Sequence, residues 1–373
     1  MILGAGLSGL SLSVALVRAG VREDIVLVDK RTEFGRDRTW CTWASPGLPF
    51  LELAKHRWHS WDVITAGGAA RGSSRTRPYV HIDSADFYAA ALEELDRAPQ
   101  VTLRLDERVS EVGDGWAQTS KGRLEGTIHD GLALGSPALR QTRMDLWQAF
   151  LGWEIQTEQP RFEPGVATLM DFRVSQEDGV NFLYVLPFAP DRALVEHTSL
   201  ARGGPARHKR QKALRAYLGE GYEIVHEERG RLPMTTVPIP ALRSPRTNAI
   251  GVAGGALRPS SGYAFSRVQA HSVAIARAIV AGEPPPARAG ARRLATLDNV
   301  FLHALAREPE TFAERFRTLV DKVPGDAFAR FMSDQSTPRD EARVMAALPT
   351  RPFLRAAGRA ALDDRGDPLG RLD

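Results

Sequence analysis

The chain opens Met1-Ile2-Leu3-Gly4-Ala5-Gly6-Leu7-Ser8-Gly9-Leu10 and continues through Leu12, Val14, Ala15 and Leu16 to Arg18-Ala19-Gly20. This reads as strand, glycine turn, helix and helix stop. Gly4 permits the tight turn, Gly6 lets the backbone approach a pyrophosphate, and Gly9 lets the helix lie close on the strand with its N-terminus facing the anion. A second strand, Ile25-Val26-Leu27-Val28, ends at Asp29, where a carboxylate accepts hydrogen bonds from both hydroxyls of an adenosine ribose. Strand, turn, helix, strand and acid together predict a Rossmann-type dinucleotide site held by Gly4, Ala5, Gly6, Gly9 and Asp29. The plainer alternative is a glycine-rich turn in an ordinary α/β unit. Only Met1, Ile2 and Leu3 precede the glycines, so the first strand is expected to be clipped short of the usual five or so residues. A short strand predicts a weaker floor beneath the pyrophosphate.

Composition bounds the rest. The 373 residues are 43% hydrophobic and 25% charged, which excludes general disorder and low-complexity architectures. The 49 Lys and Arg outnumber the 45 Asp and Glu by only four, and nucleic acid is not implied. Cys41, the single cysteine, has no disulfide partner, no zinc framework is present, and a reducing compartment is expected. No run of about 18 apolar residues and no signal-peptide pattern occurs, so the chain is not expected to span a membrane. An exposed apolar patch with some cations still allows surface attachment.

After the second strand comes Arg36-Asp37-Arg38-Thr39-Trp40-Cys41-Thr42-Trp43. Trp40 and Trp43 are read either as interdomain packing or as contacts to a bulky apolar ligand. Trp58 and Trp61 repeat their spacing in a stretch with strand character, and Tyr79 to Asp83 predicts a strand running into a helix capped by Asp83 or Ser84. From Glu154 the pattern alternates. Glu154–Glu158, Thr168–Phe172, Phe182–Pro187 and Ala193–Thr198 read as strands of an antiparallel sheet inserted into the nucleotide fold. Glu196 stands in the last of these, within Leu194-Val195-Glu196-His197-Thr198. Spacing alone favours a solvent-facing position at the sheet edge; on an apolar face its carboxyl would stay protonated near neutrality and act as a general acid.

A second glycine-rich stretch, Ile250-Gly251-Val252-Ala253-Gly254-Gly255-Ala256-Leu257-Arg258-Pro259-Ser260-Ser261-Gly262-Tyr263, leads into a helix through Val268, Ile275 and Ile279. Two such loops suggest an elongated dinucleotide such as FAD. Beyond Glu283-Pro284-Pro285-Pro286 the chain is helical and amphipathic, with stripes Leu294, Leu297, Phe301, Leu305 and Phe312, Phe316, Leu319, Val323 that read as core or, in part, as membrane-facing. The basic run Arg202 to Arg215 reads as a solvated helix face, or as an anionic-lipid contact if it adjoins an apolar patch.

Taken together these residues resemble the bacterial lycopene β-cyclases, flavoproteins of carotenoid synthesis. The resemblance rests on Gly4 to Gly9, Arg38-Thr39-Trp40, Gln148 to Ile155, Tyr184-Val185-Leu186-Pro187-Phe188, Leu194 to Thr198, and Gly254 to Tyr263. It implies an α/β fold: a glutathione-reductase-like FAD-binding domain over 1–145 and 241–285, an inserted antiparallel-sheet substrate domain over 146–240, and a C-terminal helical region over 286–373. It implies that Glu196 belongs to a motif required for cyclisation, that Gly254, Gly255, Pro259, Ser261 and Gly262 complete the flavin site, and that Trp40, Trp43 and Phe188 contact substrate. The implied reaction converts the linear ends of lycopene, or a related linear carotenoid, to β-rings without net redox change, using reduced FAD with NAD(P)H as reductant. The implied setting is cytoplasmic, at the inner face of the membrane, with other carotenoid-pathway enzymes as possible partners. Two features depart from relatives: His197 stands where the motif often has an acid, so a carboxylate pair does not follow from it, and Gly254-Gly255 replace the Gly-Asp of flavin hydroxylases. The competing readings are a flavin monooxygenase or prenyl reductase of the same fold, and a non-catalytic isoprenoid-binding flavoprotein.

Overall fold

The computed structural model describes residues 1–132, 146–201, 207–236 and 244–365. The opening motif builds a five-stranded parallel sheet ordered Thr247–Ala249, Ile128–Asp130, Ile2–Leu3, Ile25–Val28, Val101–Arg104. The first strand is indeed short, two residues. It is nevertheless the central strand: Ile2 pairs with Leu27 on one side and His129 on the other, and Gly4 N–H extends the ladder by donating to the Val28 carbonyl at 2.8 Å.

The helix Leu7–Arg18 crosses this sheet, sandwiched with Ser84–Asp96 and Phe265–Val280 around Leu10, Val14, Phe87, Leu95, Phe265 and Ile275. Gly9 makes the approach possible, since a Cβ there would lie 1.9 Å from the Gly4 carbonyl oxygen. Asp83 caps Ser84–Asp96, accepting from Ala85 N–H at 2.9 Å.

The alternating segments form a seven-stranded sheet ordered Tyr222–Pro233, Trp147–Thr157, Arg192–Ala201, Val180–Ala189, Val166–Asp171, Ser60–Thr65, Gly68–Ser73. It is antiparallel except where Val166–Asp171 runs parallel to Ser60–Thr65. Its last two strands come from 60–73, a stretch assigned by chain order to the nucleotide-binding part. Trp58 and Trp61, read as one strand, lie in different sheets: Trp58 in a three-stranded sheet with Thr39–Trp43 and Tyr79–Asp83, Trp61 in the seven-stranded one.

Among the described residues five α-helices follow: Arg292–Arg307, Phe312–Lys322, Gly325–Met332, Pro338–Ala347 and Thr350–Arg365. Their apolar stripe of Leu305, Phe312, Phe316, Leu319 and Val323 joins Trp61, Phe172 and Phe182 of the large sheet in one core. A buried ionic cluster ties them to the late glycine loop. Arg258 reaches Asp298 at 3.2 Å and Asp334 at 3.5 Å, Arg267 reaches Asp298 at 3.6 Å, and Ser260 Oγ donates to Asp298 at 2.5 Å. Pairing is what makes such burial tolerable, because a lone charge there would keep its desolvation cost.

Candidate functional site

One cavity of about 1090 Å³ runs from the opening glycine turn, across one face of the large sheet, to the C-terminal helices. That is at or above the top of the ~300–1,000 Å³ typical of a single small-molecule site, so it has room for a cofactor and a second ligand.

At the nucleotide end the wall is formed by Gly4, Gly6, Leu7, Ser8, Gly9, Asp29 and Arg31. The helix Leu7–Arg18 has no side-chain cap at Gly6 and no acid in its first turn, leaving its N-terminal N–H groups to an anion. The space beside Gly6 is open: a Cβ there would meet only Arg31 Nη2, at 3.7 Å. Asp29 Oδ2 accepts from Ala5 N–H at 2.6 Å, and Oδ1 from Arg31 N–H at 2.8 Å. The Arg31 guanidinium touches both oxygens at 3.2 Å. Burial alone would raise the Asp29 pKa, but hydrogen bonds from Arg31 and Ala5 hold it below the usual carboxylate range. Four donors, two from the backbone and two from the guanidinium, already occupy this carboxylate, so a further hydroxyl would have to displace the guanidinium. The glycine turn, the uncapped helix N-terminus and the carboxylate fit a dinucleotide.

The late loop meets the same cavity through Val252, Ala256, Leu257, Ser260, Ser261, Gly262 and Tyr263. Gly254, Gly255 and Pro259 are absent from the wall. Gly254 and Gly255 shape the turn behind it: a Cβ on Gly254 would sit 2.7 Å from the Ala249 carbonyl oxygen, and Gly255 has φ +76°. Ala5 likewise contributes its N–H to Asp29 rather than lining the space.

The middle of the cavity is aromatic and neutral. Trp40 packs against Phe87, Tyr88 and Phe265, and Trp43 against Trp61, Tyr79, Tyr263 and Phe328. Both indoles also line the cavity, so packing and ligand contact are combined in the same rings. Tyr79 OH bridges Tyr184 OH at 2.7 Å and Tyr263 OH at 2.9 Å. Burial pushes these phenols above their ordinary range and the neighbouring Cys41 thiol up to about 12.

Glu196 lies on this wall. The edge position favoured by spacing is not what the fold builds: Arg192–Ala201 is an interior strand, paired on both sides, and Glu196 is 8% exposed. Thr198 Oγ1 donates to its Oε1 at 2.6 Å, and no cation among the described residues reaches it in an ion pair. Burial first, and then the neighbouring Glu228 carboxylate, raise its pKa to about 8. It is thus predominantly a carboxylic acid at neutral pH. His197 points to the opposite face, toward helix Arg207–Leu218, where burial and Arg210 lower its pKa to about 4. It takes no part in the cavity.

A chain with this geometry has recognisable relatives. Residues 1–358 match the family described as Lycopene cyclase protein. The chain belongs to this family. It is 27% identical to the lycopene beta-cyclase of Pseudescherichia vulneris, the alignment covering 98% of each chain, and 26% identical to that of Pantoea ananas, covering 95% of this chain and 96% of the relative. Among solved structures it resembles a geranylgeranyl bacteriochlorophyll reductase-like protein from Thermoplasma acidophilum (TM-score 0.62, 11% identity, 97% and 98% of the two chains). It also resembles a flavoprotein/dehydrogenase from Cytophaga hutchinsonii (TM-score 0.60, 12% identity, 97% and 98%). At these identities the structures speak for the fold alone.

Within this lycopene cyclase family member the sequence-derived site residues fall into two groups. Gly4, Gly6, Gly9, Asp29, Trp40, Trp43, Glu196, Ser261 and Gly262 converge on the cavity. Ala5, Gly254, Gly255, Pro259 and Phe188 do not line it. Phe188 stacks on His56 at 4.4 Å and His81 at 5.1 Å, behind the wall. Sequence reasoning missed Arg31, Cys41, Tyr79, Tyr184, Tyr263 and Glu228. For Glu228 there was no local signal, since it sits in the charged run Glu227-Glu228-Arg229 and only strand pairing selects which acid faces inward.

Proposed function

We propose that this chain is a lycopene β-cyclase that closes the linear ends of lycopene, or a related linear carotenoid, to β-rings. The observation that carries this is Glu196, a buried carboxyl that no ion pair among the described residues neutralises, on the wall of an apolar, aromatic cavity in a chain of this family; burial and Glu228 favour its protonated form. An unactivated double bond accepts a proton only from an acid held undissociated in a dry site. Glu196 delivers that proton to the terminal double bond. The resulting cation is captured by a neighbouring double bond, closing the ring, and loss of a ring proton completes an isomerisation with no net electron transfer. The faces of Trp40 and Trp43 stabilise the cation by cation–π attraction while excluding water.

The glycine turn, the uncapped helix and Asp29 suit the adenosine and pyrophosphate of FAD, with Ser261 and Gly262 further along the same cavity. When bound in its reduced, anionic form, with NAD(P)H as reductant, FAD supplies fixed negative charge beside the developing cation.

A hydrocarbon substrate dissolved in lipid requires an apolar opening. Two exposed side chains on the cavity wall, Met345 (54% exposed) and Leu354 (66%), mark one, and the two helices that carry them also carry exposed Arg339, Arg351 and Arg355. This combination suits the surface of an anionic bilayer, and we place the protein there, on the cytoplasmic face, beside the enzymes supplying its substrate. No helix among the described residues is long and apolar enough to cross a membrane.

Expression in a lycopene-accumulating bacterial host tests this reading. Cyclised pigment of unchanged mass, absent with Glu196→Gln, is the expected outcome. Product heavier by hydrogen or oxygen would assign redox chemistry instead, and carotenoid bound but unconverted would make the protein a carrier.

A further inference from the structure

Trp147–Thr157 lies between Arg192–Ala201 and Tyr222–Pro233, and in both ladders Gly152 stands opposite a glutamate: Glu196 on one side, Glu228 on the other. Directly opposed residues in an antiparallel ladder share a face. The row Glu196, Gly152, Glu228 therefore crosses the sheet with both carboxylates on the cavity side, and both line the cavity. The missing side chain between them is what lets them lean together. A Cβ on Gly152 would lie 3.2 Å from Glu228 Cγ and 3.5 Å from Glu196 Cβ.

The two acids have different surroundings. Glu196 receives one neutral hydrogen bond, from Thr198, with Leu194, Leu200 and Phe182 nearby on the wall. Glu228 is bonded by Thr39 and faces the positive charge of Arg36 and Arg38. Cys41 and the hydroxyls of Tyr79, Tyr184 and Tyr263 complete the polar surroundings, all of them neutral. Burial raises the Glu228 pKa, and Thr39, Arg36 and Arg38 oppose the rise. Two carboxylates in one dry site share a proton rather than both ionising. Here the cations favour the charge on Glu228 and the proton on Glu196.

We propose that Glu228 is the second catalytic carboxylate, the base that removes the ring proton after Glu196 has donated one to the terminal double bond. This rests on the cyclase reading above. The pair begins with one proton, on Glu196. That proton forms a C–H bond as the double bond's electrons leave; ring closure moves the cation; Glu228 takes a proton from the carbon beside it, and those C–H electrons become the ring double bond. One proton has been gained by substrate and one lost. Its passage from Glu228 to Glu196 across the Gly152 gap resets the pair without solvent or oxidant. Because the base's position decides which proton leaves, Glu228 also determines where the ring double bond falls.

The test compares flavin-loaded wild type, Glu196→Gln, Glu228→Gln and Glu228→Asp. Glu228→Gln is expected to lower turnover at least about a hundredfold, the usual worth of a positioned base, and to abolish the acid limb of the pH–rate profile. Glu228→Asp, which keeps the carboxylate on a shorter arm, is expected to recover part of the rate with a changed mixture of ring isomers. Independently of turnover, the infrared carbonyl band of the protonated Glu196 should disappear at lower pH in Glu228→Gln than in wild type, since the repelling charge is gone. Glu228→Gln turning over within about threefold of wild type with an unchanged acid limb would overturn the proposal, as would an unshifted band. If Glu228→Gln fails to fold, Glu228→Asp with wild-type rate and isomer ratio does the same. A wild-type chain that does not cyclise would instead overturn the cyclase reading.

Discussion

Replacing Glu196 with glutamine should make this protein more stable in alkali while removing its activity. Glu196 is raised from the ordinary 4.5 to about 8 by burial and by Glu228. Below pH 4.5 the side chain is protonated in both the folded and unfolded chain, and the shift has no effect. Between pH 4.5 and 8 the unfolded chain has lost the proton that the folded one keeps, so wild-type stability falls as pH rises. At about 1.4 kcal/mol per pH unit, the span sets an upper bound of about 5 kcal/mol. Sharing of the proton with Glu228 and the polarisable cavity wall reduce this to about 1–3 kcal/mol. With about 2.1 cal/mol/K of unfolding entropy per residue, each kcal/mol moves the Tm of so long a chain by about 1–2 °C. Glu196→Gln, nearly isosteric, should melt with wild type at pH 5 and about 1–6 °C above it at pH 8.5, measured by calorimetry across that range. A difference independent of pH, or a variant less stable than wild type at pH 8.5, would refute the assignment of Glu196 as a buried, protonated acid.

Three further outcomes follow from the packing. Gly9→Ala places a methyl group 1.9 Å from the Gly4 carbonyl oxygen, so the helix must move off the sheet; flavin titration should show affinity at least about tenfold weaker, and wild-type affinity would contradict the proposed cofactor cradle. Arg258→Met leaves Asp298, which is 1% exposed, with Arg267 and Ser260 as its remaining partners, and should cost about 3 kcal/mol in denaturant unfolding, whereas a loss below about 1 kcal/mol would mean the cluster relaxes. Phe188→Leu, behind the wall, should leave turnover unchanged at a stability cost of about 1 kcal/mol, whereas Trp40→Leu, on the wall, should slow turnover or release ring-opened by-products; the reverse pattern would displace the substrate path.

The nucleotide half was legible because its signals are local. Gly4, with φ +91°, and Gly9, pressed against the Gly4 carbonyl, are required by backbone geometry within a few residues of themselves, and Asp29 closes a strand whose apolar run is continuous. The four strands from Glu154 to Thr198 were legible for the same reason, through alternation. The two strands at 60–73 were not assigned to that sheet because parallel pairing with Val166–Asp171 is a long-range event without a sequence signature. Gly254 and Gly255 lie in the turn behind the cavity wall rather than on it, a distinction the residue type does not carry, since glycine marks both a turn and a close ligand approach.

Glu196 shows where reading along the chain stops. Alternation says that Glu196 and His197 face opposite ways; it does not say which face is wet. That was decided when Trp147–Thr157 and Val180–Ala189 flanked its strand and the C-terminal helices roofed the sheet, turning an ordinary carboxylate into a held acid. Residue order thus determined the strand–turn–helix units, their caps and their apolar faces, all set by interactions spanning a few residues. Only the tertiary structure decided which acids meet across Gly152, which indoles face the cavity and where it opens, because burial and charge proximity depend on segments far apart in sequence.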